Sequence, residues 1–84
     1  MINKEFLKKK IIYRATHRGS KEMDILLGEF AKKHIKDLNI EELKDLNEIM
    51  SIEDDLLYEW YFNKINNKKI ANNKISHKLR NFKI

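Results

Sequence analysis

The sequence predicts an all-α domain, a compact bundle of four to five short antiparallel helices. Three observations predict it. The 84 residues contain no proline and only two glycines, Gly19 and Gly28, so the turn residues that punctuate a hairpin-rich β domain are missing. Apolar residues recur at three- and four-residue steps along most of the chain. The breaks between these runs are only two to five residues long, which favours antiparallel neighbours. The length fits one domain over residues 1–84. Its core is expected at about residues 3–63, with a basic helix or tail over 64–84.

The first helix is expected at about 3–17. Asn3 is its N-cap, and Phe6, Leu7, Ile11 and Tyr13 make its apolar face. Arg18-Gly19 ends it: glycine accepts the left-handed conformation that commonly closes a helix, and arginine complements the negative dipole end. The second helix, about 20–37, carries Met23, Leu26, Leu27, Phe30, Ala31 and His34 on one face, with Glu22 in its first turn. Gly28 interrupts the pattern and marks a place where another helix approaches closely. The third, about 40–50, starts with Asn39 and Glu42 in a capping-box spacing and buries Leu43, Leu46, Ile49 and Met50. The fourth, about 52–63, follows Ser51 with an acidic first turn, Glu53-Asp54-Asp55. Leu56, Leu57, Trp60 and Tyr61 are its apolar face. Residues 63–67 are polar and turn-prone. A fifth helix over 68–82 would use Ile75, Leu79 and Phe82; its all-positive charge makes it the weakest.

The net charge of +5 hides a strong asymmetry. Residues 1–21 hold seven basic groups and one acid, residues 22–62 four and twelve, and residues 63–84 seven and none. Basic ends therefore flank an acidic centre. A basic chain raises nucleic-acid binding as one alternative and a generic helical adaptor as another. Against the first, the basic groups are lysines on two separate segments with little aromatic interleaving and no recognition helix. The reading is no nucleic-acid partner.

Several function classes fall away. Without cysteine, no disulfide framework, thiolate zinc site or cysteine nucleophile is available. No apolar run approaches the ~18 residues of a membrane span. The N-terminal residues lack the apolar stretch and small-residue cleavage site of a secretory signal, so a cytoplasmic protein is expected. His17, His34 and His77 have no metal-ligand spacing, and His34 continues the face from Met23 to Phe30 as a packing residue. A nucleophile pair of His17 and Ser20 would need an orienting acid and an oxyanion hole. Glu22 and Asp24, two apart on one helix, point to different sides and make a poor acid–base pair. The chain is expected to be no enzyme, with no cofactor of its own. Its apolar faces suffice for a monomeric core.

The stretch Tyr13-Arg14-Ala15-Thr16-His17-Arg18-Gly19-Ser20-Lys21-Glu22-Met23-Asp24-Ile25-Leu26-Leu27, with Phe30 following, has a specific resemblance. It is similar to the flavinator family of succinate dehydrogenase assembly factors, whose hallmark Arg-Gly-x-x-Glu is met by Arg18, Gly19 and Glu22. A later acidic turn and Leu-x-x-Trp, here Leu57 and Trp60, also match, so the resemblance covers about residues 6–62. It departs at the acid usually found directly before that leucine, where this chain has Leu56.

The resemblance implies a five-helix bundle that binds the flavoprotein subunit of succinate dehydrogenase, or of fumarate reductase, and promotes covalent attachment of FAD to it. The chemistry would belong to the flavin and its host, and the small protein would orient them. Arg14, Arg18, Gly19, Glu22 and Asp24 are the expected partner-binding residues. Arg18 can grip a carboxylate or carbonyl of the partner in a bidentate contact. Gly19 allows close backbone approach. Glu22 can hold the Arg18 or Arg14 guanidinium. A purely architectural reading competes: Gly19 closes a helix while Arg18 and Glu22 complement two dipoles.

Overall fold

A computed structural model describes residues 3–83; Met1, Ile2 and Ile84, the ends of the expected domain, lie outside the described residues. Five α-helices follow one another: α1 (Lys4–Thr16), α2 (Lys21–His34), α3 (Ile40–Met50), α4 (Asp54–Phe62) and α5 (Lys74–Arg80). A 3-10 turn, Ile35–Asp37, continues α2. The described residues form no strand. α1 packs on both α2 and α3, α3 packs on α5, and α2 touches α4. The radius of gyration, 11.8 Å, is the ~12 Å of a compact chain of this length.

The caps explain where each helix starts. The Asn3 side chain accepts from the Glu5 and Phe6 amides. Ser20 accepts from Met23 N at 3.3 Å and opens α2. Asn39 and Glu42 form the expected capping box on α3, at 2.9 and 3.0 Å. Ser51 closes α3 rather than opening α4: its hydroxyl donates to the Glu48 carbonyl at 2.6 Å. The N-cap of α4 is Glu53, with no side-chain bond.

The last helix is the largest departure. It spans seven residues rather than 68–82, and an irregular segment, 63–73, precedes it. Asn73 decides its start, pairing reciprocally with Ser76 at 2.9 Å. The adjacent polar residues upstream prefer local turns to a helix. The connection is thus eleven residues long, beyond the expected two to five.

The core is built from the expected stripes. Ile11, Ala15, Leu26, Leu27, Phe30, Ala31, Leu43 and Leu46 are fully buried. Phe6 is not among them: it is 66% exposed, and α1 buries Leu7, Ile11 and Ala15 instead. His34 packs against both Phe30 and Phe82, its ring 4.7 Å from the former and 5.9 Å from the latter. The core extends beyond residue 63, since Ile70, Ile75 and Leu79 are buried in the same cluster. The Tyr61 hydroxyl donates to the Phe82 carbonyl, and the Phe82 ring meets Phe30 edge-on at 5.3 Å. These contacts fasten the C-terminal segment to α2 and α4.

Candidate functional site

The turn between α1 and α2 is held by one arginine. Arg18 follows the C-cap residue His17, and its side chain is only 9% exposed. Its Nε donates to Asp54 Oδ1 at 2.6 Å and its Nη2 to the Ile52 carbonyl at 2.5 Å. Nη1 donates to the Met50 carbonyl. Met50 is the last residue of α3, so its carbonyl has no intrahelical partner. The guanidinium therefore caps α3 and sits at the negative end of that helix.

Asp54 receives more than the arginine. Its Oδ2 accepts from Gly19 N at 2.6 Å and from Ser20 N at 3.2 Å. The carboxylate lies in the first turn of α4, where negative charge is favoured. One ion pair thus ties three elements together: the α1–α2 elbow, the end of α3 and the start of α4. Asp24 adds a sixth bond from within α2, its Oδ1 accepting from Arg18 N at 2.5 Å.

The glycine has a different reason from the one expected. No glycine has a positive φ, so Gly19 is not a left-handed cap. A Cβ on Gly19 would lie 3.1 Å from Asp54 Oδ2. The carboxylate, locked by Arg18, occupies the place of the missing side chain. Gly28 lies where α1 crosses α2, but a Cβ there would make ordinary contacts, 3.6 Å to Thr16 Cγ2.

The five expected residues therefore divide. Arg18, Gly19 and Asp24 share the elbow's hydrogen-bond network. Glu22 is exposed and does not hold Arg18; Asp54 does that. Arg14 is half-buried, and neither it nor Glu22 is in an ion pair among the described residues. His17 and Ser20 are engaged separately. The His17 ring stacks on Tyr13 with centroids 4.0 Å apart. Its Nδ1 donates to the Tyr13 carbonyl at 2.8 Å, since a carbonyl can only accept. Tyr13 is itself 63% exposed. The surface of the elbow thus carries Tyr13, His17 and Glu22 around a rigid, largely buried arginine.

Sequence reasoning missed Asp54. It reads there only as one of three consecutive acids at a helix start. Nothing local distinguishes it from Glu53 or Asp55.

A family model described as "Flavinator of succinate dehydrogenase" matches residues 9–83. The chain belongs to this family. The flavinator match runs through α5, well past the residue-62 limit of the motif resemblance. The chain is similar to the FAD assembly factor SdhE of Acetobacter pasteurianus, 34% identical over 58 residues that cover 69% of this chain and 53% of the relative. It is similar to succinate dehydrogenase assembly factor 2, mitochondrial, of Dictyostelium discoideum, 37% identical over 60 residues covering 71% and 43%. The Saccharomyces cerevisiae protein of that name is 32% identical over 77 residues covering 87% and 48%. The matches span about half the length of these curated relatives. No solved structure matches the chain. No helix among the described residues is long and apolar enough to cross a membrane.

Proposed function

We propose that this chain binds the flavoprotein subunit of succinate dehydrogenase and promotes covalent attachment of FAD to that subunit, acting as a monomer and without catalytic groups of its own. Membership of the flavinator family supports the partner. The observation that carries the role of the site is the largely buried Arg18–Asp54 pair. It spends the arginine inside the protein, so Arg18 acts as a positioning residue. What it positions is the exposed surface of the elbow, with Glu22, Arg14 and the Tyr13–His17 stack.

A rigid turn presents these groups in one arrangement and loses little entropy on docking. A docked partner is then held in the geometry its own reaction needs, which raises the effective concentration of the reacting groups. Glu22 is the group free to accept from donors of the partner, while Gly19 leaves room for the Asp54 carboxylate that holds the elbow in shape.

The test is co-expression with the flavoprotein subunit, read by protein-bound flavin fluorescence after denaturation. Glu22→Gln is expected to lower flavin attachment at least tenfold with an unchanged unfolding midpoint. Arg18→Ala should lower both. If Glu22→Gln and Gly19→Arg both fold and support full attachment, the elbow is not the partner surface. The flavoprotein subunit of fumarate reductase, assayed in parallel, defines the partner range.

A further inference from the structure

A second arginine stands in a different setting. The irregular segment 63–73 and α5 enclose a cleft of about 600 Å³. Its floor is Trp60 and Ile70, and its walls include Asn66, Asn67, His77 and Arg80. The elbow meets the N-terminus of α4, whereas this cleft opens beside the C-terminal half of the same helix. We infer that the cleft is a docking site for an acidic peptide segment of a protein partner, with Arg80 as the anchor for one of its carboxylates.

The first support is an uncompensated charge held in place. The Arg80 guanidinium carbon lies 5.1 Å from the centre of the Trp60 ring. Its Nη1 donates to Asn66 Oδ1 at 2.8 Å. Both braces are neutral. Among the described residues no carboxylate pairs with Arg80. The side chain is fixed by a ring and an amide, while its positive charge and remaining N–H groups stay available.

Next comes the excess of donors. Asn67 Oδ1 accepts from Lys69 N at 2.8 Å, and Asn66 Oδ1 is occupied by Arg80. The donors in both pairs can only donate, so each asparagine has its carbonyl engaged and its NH₂ group left over. A wall of leftover donors selects acceptors: carboxylates and the carbonyls of an extended chain.

The field around the cleft points the same way. Residues 63–84 hold seven basic groups and no acid. One of them, Lys74, is paired with Glu42 at 3.5 Å; the rest leave this end of the molecule attractive to acidic partners. The volume decides between a free anion and a peptide. A single carboxylate or phosphate would fill a small part of about 600 Å³, whereas a few residues of extended chain fit a cleft of that size.

Trp60 is the only tryptophan, so its emission reports on the cleft directly. The probe is an acetylated, amidated hexapeptide of alternating Asp and Glu, with the Asn–Gln hexapeptide, citrate, inorganic phosphate and a single-stranded oligonucleotide as the other arms. Binding is followed by Trp60 fluorescence and by amide chemical shifts in 0.15 M salt. Saturable binding of the acidic peptide is expected, with shifts centred on Asn66, Asn67 and Arg80. Arg80→Gln should weaken it at least tenfold while the protein stays folded by circular dichroism. Lys9→Gln on α1 should change it less than twofold. Four results would each overturn the inference: no saturable peptide binding, equal losses for Arg80→Gln and Lys9→Gln, citrate or phosphate binding as tightly as the peptide, or the oligonucleotide binding more tightly. Glu22→Gln should leave this binding intact, so failure here and failure at the elbow are separable.

Discussion

Arg18 and Arg80 are both arginines beside α4, the first largely buried and the second partly so, yet they do opposite things. Arg18 meets a carboxylate and two backbone carbonyls and keeps almost nothing for an outside partner. Arg80 meets a ring and an amide and keeps its charge. An arginine surrounded by acceptors becomes part of the architecture, and one braced by neutral groups remains a binding group. The difference is set by what the neighbouring element offers. The N-terminus of α4 brings Asp54 and the end of α3 brings orphan carbonyls. The polar side chains of the segment after α4 are only asparagines and lysines.

The floor that Arg80 leans on should show the largest effect. Trp60 is buried, and Trp60→Ala should cost about 3–5 kcal/mol in urea unfolding. A smaller loss would mean the ring belongs to the cleft more than to the core. The direct contrast comes next. Arg18→Ala removes one partner of a mostly buried pair and should cost about 3 kcal/mol. Arg80→Ala removes a ring contact and an exposed hydrogen bond and should cost only ~1 kcal/mol. Equal losses would erase the distinction between the two sites.

The glycines sharpen the elbow half of the contrast. Gly19→Ala should destabilise by about 1 kcal/mol, because Asp54 Oδ2 is 3.1 Å from the new Cβ and its carboxylate is pinned by three donors. Gly28→Ala should instead stabilise by about 0.5–1 kcal/mol, since its Cβ meets only ordinary contacts. Both are read as shifts of the unfolding midpoint.

Mild acid should act on the C-terminal end and spare the elbow. Burial, with the nearby charges of Lys78 and Lys33, holds His34 below its ordinary 6.5 despite the opposing pull of Asp37. The unfolded chain therefore takes up that proton first. The stability tied to neutral His34 is complete above pH 6.5 and is lost as pH falls through the lowered folded value. Glu42 is held below its ordinary 4.5 by the Asn39 amide and, more weakly, by Lys74. Its contribution is complete above 4.5 and is lost as pH falls further. His34 touches Phe82, and Glu42 pairs with Lys74 on α5. Hydrogen-exchange protection, measured against the intrinsic rate at each pH, should therefore fall in α5 before it falls around Arg18 as the pH drops from 7 to 4. Simultaneous loosening would show one cooperative unit.

Most of the first four helices was legible because helix signals are local. Asn3, Ser20 and Asn39 sit next to the amides they cap, and the Leu26, Leu27, Phe30 stripe follows from 3.6 residues per turn. The α5 boundary was not, because the apolar spacing of Ile75, Leu79 and Phe82 does not say where the helix begins. That choice fell to Asn73, which caps it seven residues before its end. At the elbow, Arg18, Gly19 and Glu22 stood out together, but their division of labour did not. Glu22 looked as able to hold the arginine as any acid nearby. The real holder lies 36 positions away in sequence.

The sequence by itself determined an all-helical chain, the apolar stripes that close its core, and the motif that places it among the flavinators. The tertiary structure alone decided which arginine is consumed and which stays available. Periodicity and capping act over a few residues and can be read along a line. The pairing of Arg18 with Asp54, and the absence among the described residues of an ion pair to Arg80, depend on how five helices stack, because a charge's partner is whatever the folded chain brings within a few ångströms of it.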